Sequence, residues 1–145
     1  MTHKFIQVLI DSLTGNAAVK ALVGFEVRAG HISEFYDADA KNKTKVTFPC
    51  ITLVVTNTQP IGGKLKECST ATVEIKAHAL TQKQANEIYD AAKEVLFSKR
   101  LSNDNFNVIT GELPDLPNEM TDPDSLPAIT YNAYAYFDCY AQRKT

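Results

Sequence analysis

No stretch of this chain stays apolar for the roughly 18–20 residues that a bilayer-spanning helix needs, so a transmembrane segment is not expected. Nor is a signal peptide, because Met1-Thr2-His3-Lys4 leads into an amphipathic segment holding Asp11 and no continuous apolar run follows. Cysteine is scarce, with three residues at positions 50, 68 and 139. Their number is odd and their spacing long, which removes the close CxxC pairs of a zinc site. They read as free thiols of a reducing compartment, with Cys50 and Cys139 packed as small hydrophobes inside strands. Histidine is as rare: His3, His31 and His78 show no metal-ligand spacing. An excess of one charge is missing too. Fifteen Lys and Arg against seventeen Asp and Glu leave a formal charge of −2, with a sequence pI of about 5.9. A dedicated nucleic-acid binder would be strongly basic; a local basic patch stays open.

What is present is organised around Thr70–Lys99. Ala71, Val73, Ile75, Ala77 and Ala79 alternate with Thr72, Glu74, Lys76 and His78, the period of a strand with one buried and one wet face. The period then changes. Ala85, Ile88, Tyr89, Ala92, Val95 and Leu96 share one arc at about 100° per residue, with Gln82, Glu87, Asp90 and Glu94 opposite. Thr81 is the expected N-cap, with Gln84 completing a capping box. Lys99 and Arg100 fall where cations suit a helix C-terminus.

Elsewhere the reading runs as follows. His3–Leu13 has helical spacing and stops at Gly15-Asn16; Ala17–Val23 adds a further turn or two before Gly24. Phe25–Ile32 alternates as a strand. Residues 34–47 form a long polar loop with Asp37, Asp39, Lys41, Lys43 and Lys45, a length that is often functional. Pro49 opens the strand Cys50–Asn57, whose run Ile51-Thr52-Leu53-Val54-Val55 suits a central strand covered on both faces. Gln59–Gly63 is turn chemistry, and the chain returns in the long strand as an antiparallel partner. Asn105–Thr110 is a short strand. Residues 112–127 carry four prolines and five acidic residues, which read as an extended acidic loop. Ala128–Arg143 is a long last strand. Ile129, Tyr131, Ala133, Ala135, Phe137 and Cys139 take one face, and Tyr134, Tyr136 and Tyr140 share the other with Asn132 and Asp138. The sum is a single α+β domain, residues 1–145. It has a mostly antiparallel sheet of about four or five strands and two or three helices packed on one face.

Catalytic signatures are thin. His78 falls on the polar side of its strand and reads as a solvent-exposed filler. A Cys–His pairing, Cys68 with His31 or Cys50 with His78, stays open, although nothing local suggests an activated thiolate. Gly62-Gly63-Lys64 lacks the spacing and the strand–helix context of a P-loop and reads as a turn. The pairs Asp37/Asp39 and Asp122/Asp124 read as solvated loop charge. Two interaction signals remain. Tyr134, Tyr136 and Tyr140 form an aromatic row of the kind enriched at protein contacts; the competing reading puts them under a helix. Lys41, Lys43 and Lys45 of one loop can pair with Asp115, Glu119, Asp122 and Asp124 of the other between neighbouring subunits; the competing reading leaves both loops merely solvated.

The order of these segments is similar to a known group. A helix and polar loop precede Pro49-Cys50-Ile51-Thr52-Leu53-Val54. Then come the strand Ala71–Ala77, the helix Gln84–Leu96 and a Tyr/Phe-rich last strand. The chain resembles the tail terminator, or tail completion, proteins of long-tailed bacteriophages. The resemblance implies a structural virion protein with no catalysis and no cofactor. Such a subunit forms a homo-oligomeric ring, usually a hexamer, at the head-proximal end of the tail. There it meets the tail tube protein and a neck or head-connector protein and ends tube polymerisation, with DNA passing through its lumen without sequence-specific binding and with no membrane partner. It would be made in the host cytoplasm. The alternatives are a head–tail adaptor or other neck protein and, from another class, a small α+β enzyme or ligand-binding protein.

Overall fold

The computed structural model describes residues 4–32, 47–60, 68–122 and 130–144. Three helices, α1 (Ile6–Thr14), α2 (Ala17–Val23) and α3 (Gln82–Leu96), accompany seven strands. The strands are β1 (Val27–Ala29), β2 (Cys50–Pro60), β3 (Cys68–Ala79), β4 (Arg100–Ser102), β5 (Phe106–Thr110), β6 (Asn118–Thr121) and β7 (Tyr131–Arg143). The sheet order is β1-β2-β3-β7-β5-β4, and β6 also pairs β7. β1 runs parallel to β2; the other pairs are antiparallel.

The predicted α+β class holds, with more strands than the four or five expected. β4 and β6 are the additions. Both are short edge strands, and every described side chain of β6 is exposed. With both faces wet, no alternation marks such a strand in the sequence. The segment 112–127, read as a loop throughout, therefore contains a strand. The helix expected to run toward Lys99 ends at Leu96, and Arg100 already belongs to β4.

The helices form where their caps and stripes dictate. Asn16 Oδ1 accepts from Ala18 N at 3.0 Å and Val19 N at 3.1 Å, which starts α2. Gly24, at φ 63°, stops it where a side chain would be strained. Thr81 Oγ1 accepts from Gln84 N at 3.2 Å, the cap predicted for α3. The chain bends by 87° between α1 and α2. Among the described residues no single helix is long and apolar enough to cross a membrane. This bent pair has the length and composition, but its Val8, Leu9, Leu13 and Val19 are buried in the protein core.

One sheet face supplies the floor of that core. Leu53, Ile75 and Ala135 are register partners across β2, β3 and β7, as are Ile51, Ala77 and Ala133. Leu9, Leu13, Val19, Ile88, Tyr89 and Leu96 cover them from the helices. Small residues on β3 and β7 let α3 approach the sheet, and Tyr89 fills the space while its hydroxyl donates to Pro114 O at 2.7 Å. Burial, with the nearby charges of Asp90 and Asp115, pushes that phenol up to about 12. The three cysteines are free, as read from the sequence, and Cys68 is buried along with the Cys50 and Cys139 expected inside; burial pushes Cys139 up to about 12. Truncating Ile88 to Ala opens a cavity in this layer, and chemical denaturation is expected to show a loss of about 2–5 kcal/mol with the fold retained.

Candidate interaction surface

The second face of the sheet carries no described helix. Its residues follow from the register. Thr52, Lys76 and Tyr134 form one cross-strand row, Val54, Glu74 and Tyr136 the next, and Asn57, Thr72 and Asp138 a third beyond a bulge between Val55 and Asn57. The tyrosines are bound together and to their neighbours. Tyr134 and Tyr136 meet edge to face with centroids 6.2 Å apart. The Lys76 ammonium lies 5.2 Å from the Tyr134 ring centre and 3.5 Å from Glu74 Oε1. The neighbouring Glu74 carboxylate pushes the Tyr136 phenol upward. Thr72 Oγ1 donates to Asp138 at 2.9 Å. Tyr136 is 48 % exposed, and Tyr134 and Tyr140 are half-buried. Beside Tyr140, where Ile109 is its register partner, a cavity of about 470 Å³ opens, also lined by Asn57, Thr72 and Gly111. The tyrosine row thus lies on a face that no described helix covers. Within it Tyr134 is held by ring contacts to Tyr136 and Lys76, and side chains already in contact lose less freedom when a partner docks.

One end of the same face is closed by a polar cluster that the sequence hides. His78, expected in solvent, is fully buried. Its Nδ1 lies 2.9 Å from both oxygens of Asp122, and its Nε2 lies 2.8 Å from Thr52 Oγ1. A carboxylate only accepts, so Nδ1 carries the proton. Asp122 also accepts from Thr130 Oγ1 at 2.6 Å and Asn132 Nδ2 at 2.8 Å, and its N–H donates to Thr130 O. Asp122, read above as solvated loop charge and a contact residue, is therefore only 5 % exposed. The correction has a physical cause: the end of β6 lies beside β7, so Asp122, 44 residues beyond His78, brings an acceptor to the imidazole. Burial raises the carboxyl of Asp122, but the hydrogen bonds and charge of His78, with Thr130 and Asn132, outweigh it and lower the net value.

The Thr52–His78–Asp122 line has the order of a hydroxyl–imidazole–carboxylate relay. All three side chains are buried, and a nucleophile has to be reachable. The arrangement satisfies Thr52, His78, Asp122 and Thr130, leaves Asn132 Oδ1 without a partner among the described residues, and ties β2, β3 and β7 to the residues flanking β6. Among the described residues no group of three or more His, Cys, Asp or Glu side chains is placed to hold a metal.

The remaining predicted contact residues separate. Asp115 is exposed and ion-paired with Lys93 on α3, which raises the lysine and lowers the carboxyl. Glu119 is exposed and accepts from Asn86 Nδ2 at 3.1 Å. Lys41, Lys43, Lys45 and Asp124 lie outside the described residues. What sequence reasoning missed is the His78–Asp122 pair; the only signal is a histidine opposite Asn132 in two paired strands, visible once the register is known.

Replacing Asp122 by Asn puts an amide donor against His78 or Thr130, and we expect a loss of about 1–3 kcal/mol at neutral pH. The folded carboxyl sits below its ordinary value, so its contribution is complete above the ordinary carboxylate range and fades as pH falls through the depressed one. Melting curves taken from neutral pH downward should show the wild type losing more stability in acid than D122N.

Comparison with known proteins meets this geometry. The family described as Tail completion protein gp17 matches residues 7–115. No curated protein sequence matches the chain. Among solved structures, a chain of a native gene transfer agent virion particle superposes with a TM-score of 0.58 at 12 % identity, covering 92 % of this chain and 91 % of that one. That likeness concerns the fold. The family match spans most of the chain, from α1 into the segment after β5, and on it this protein belongs to the tail completion gp17 family, a structural component of a phage-type virion.

Proposed function

We propose that this protein closes the head-proximal end of the tail tube as a homo-oligomeric ring, stops tube polymerisation and joins the tube to the neck or head connector. The observation that carries the reading is a tail completion subunit with one sheet face that no described helix covers and with Tyr134, Tyr136 and Tyr140 in a row on it. A component that works by stacking needs a rigid, partly apolar surface with hydrogen-bonding tips, and tyrosine supplies both. On this reading the tyrosine face meets a neighbouring virion protein, DNA passes through the lumen, and no bond is made or broken. The fold places packing material, not ionisable groups, on the inward strand positions.

Particles assembled without this protein should show overlong or unjoined tubes by electron microscopy, and added protein should restore length and joining. The double variant Tyr134→Ser, Tyr136→Ser should fold with an unchanged far-ultraviolet spectrum but restore neither. Tubes of normal length with unjoined heads would favour the adaptor reading; normal, joined tails without the protein would sink both.

A further inference from the structure

Between β5 and β6 the chain leaves the sheet and crosses α3 as a strap. It leaves where Gly111 N donates to Asp138 O at 2.7 Å and returns where Asn118 pairs Tyr134. The strap is anchored at three points: Leu113 is buried, Tyr89 donates to Pro114 O, and Lys93 pairs with Asp115. Pro114 and Pro117 restrict the backbone around its tip. At that tip Leu116 stands 85 % exposed. A large apolar side chain is thus held out in water by a braced segment. Glu112 and Glu119 flank it, and neither pairs with a cation among the described residues.

A complementary feature exists elsewhere on the subunit. Lys4, Ile6 and Gln7 at the start of α1, Asn105 and Phe106 at the start of β5, and Arg143 at the end of β7 line a cavity of about 440 Å³. Ile6 and Phe106 give it apolar walls. Lys4 and Arg143 are exposed at its mouth and pair with no carboxylate among the described residues. The strap cannot fill its own cavity. Its two ends lie level with Asp138 and Tyr134, five and nine residues short of Arg143 on β7, or about 17 and about 30 Å along the strand.

We propose that Leu116 of one subunit seats in the Lys4–Phe106–Arg143 cavity of a second copy, with Glu112 and Glu119 set against Lys4 and Arg143. The occupant is a second copy because the charges match, two carboxylates against two cations that form no ion pair among the described residues, and because knob and socket share no residue. A contact between two different patches of identical chains is head-to-tail, and it closes into a ring when the rotation permits. This inference rests on the ring reading above and names the contact that would build the ring.

The test uses two full-length variants and their mixture. Leu116→Ser removes the knob and leaves the socket; Arg143→Glu spoils the socket and leaves the knob. Both positions are exposed, and unchanged melting temperatures establish that each variant folds. Light scattering with increasing concentration should show each variant alone assembling about tenfold less readily or worse than the wild type. Mixed in equal amounts, they keep one intact contact and should give heterodimers that grow no further. If either variant assembles as the wild type does, or the mixture yields no heterodimer, the contact is wrong and the ring reading survives. If the wild type stays monomeric at every concentration, alone and with tail tubes, the ring reading itself fails.

Discussion

Every other element takes its position from the ladder between β3 and β7, which are antiparallel over their whole shared length from Cys68↔Gln142 to Ala79↔Tyr131. Because side chains alternate, that one register decides which residues are inside. It sets Val73 against Phe137 and Ile75 against Ala135 on the helix side, and Glu74 against Tyr136 and Lys76 against Tyr134 on the other. A slip of one residue would place the tyrosines in the core and the alanines in water. The helices enforce the choice, since α3 can lie down only on a floor of small and branched side chains.

The same ladder explains why one end of the outer face needs a polar lock. At His78↔Asn132 the pairing brings two polar side chains together, and both are buried. Buried donors and acceptors without partners are costly. Asp122 supplies acceptors to His78, Thr130 and Asn132 at once, and Thr52 satisfies the remaining ring nitrogen. The lock also holds Asp122 and Thr130 together by their backbones, so it fixes where the chain leaves β6 and where it enters β7. Removing a member leaves the others stranded, which is why a cluster of this kind is a structural commitment even without chemistry.

Much of this was legible in residues alone. The alternation of Ala71–Ala79 and of Tyr131–Cys139 assigned the helix-side face of the two main strands, and the apolar arc of α3 named its buried side; the other face was read as wet, yet Glu74, His78 and Asn132 on it are buried. The tyrosine row followed from parity. Four features were not legible, for distinct reasons. β4 and β6 are too short and too exposed to carry a period. The parallel pairing of β1 with β2 depends on how the chain crosses between them, which no local pattern records. The burial of His78 and Asp122 arises from a contact between residues 44 positions apart. Leu116 looks like one more apolar residue in a proline-rich stretch until Tyr89 and Lys93 are seen to brace the segment beneath it.

The braced strap bears on how the proposed contact between copies could form from a small patch. Association has to overcome lost motion, and a flexible loop would add the ordering of its own backbone to that cost. Here the ordering is complete before any partner arrives. Two prolines, a buried leucine, a tyrosine bond and an ion pair to α3 already fix the strap. Leu116 can then contribute its burial almost undiminished, while the carboxylates beside it steer the approach toward cations and govern register rather than strength. Such a contact is modest when made once. In a closed ring every subunit gives and receives one, and the final closure adds a contact with no further loss of freedom, so a weak pairwise attraction becomes a stable assembly.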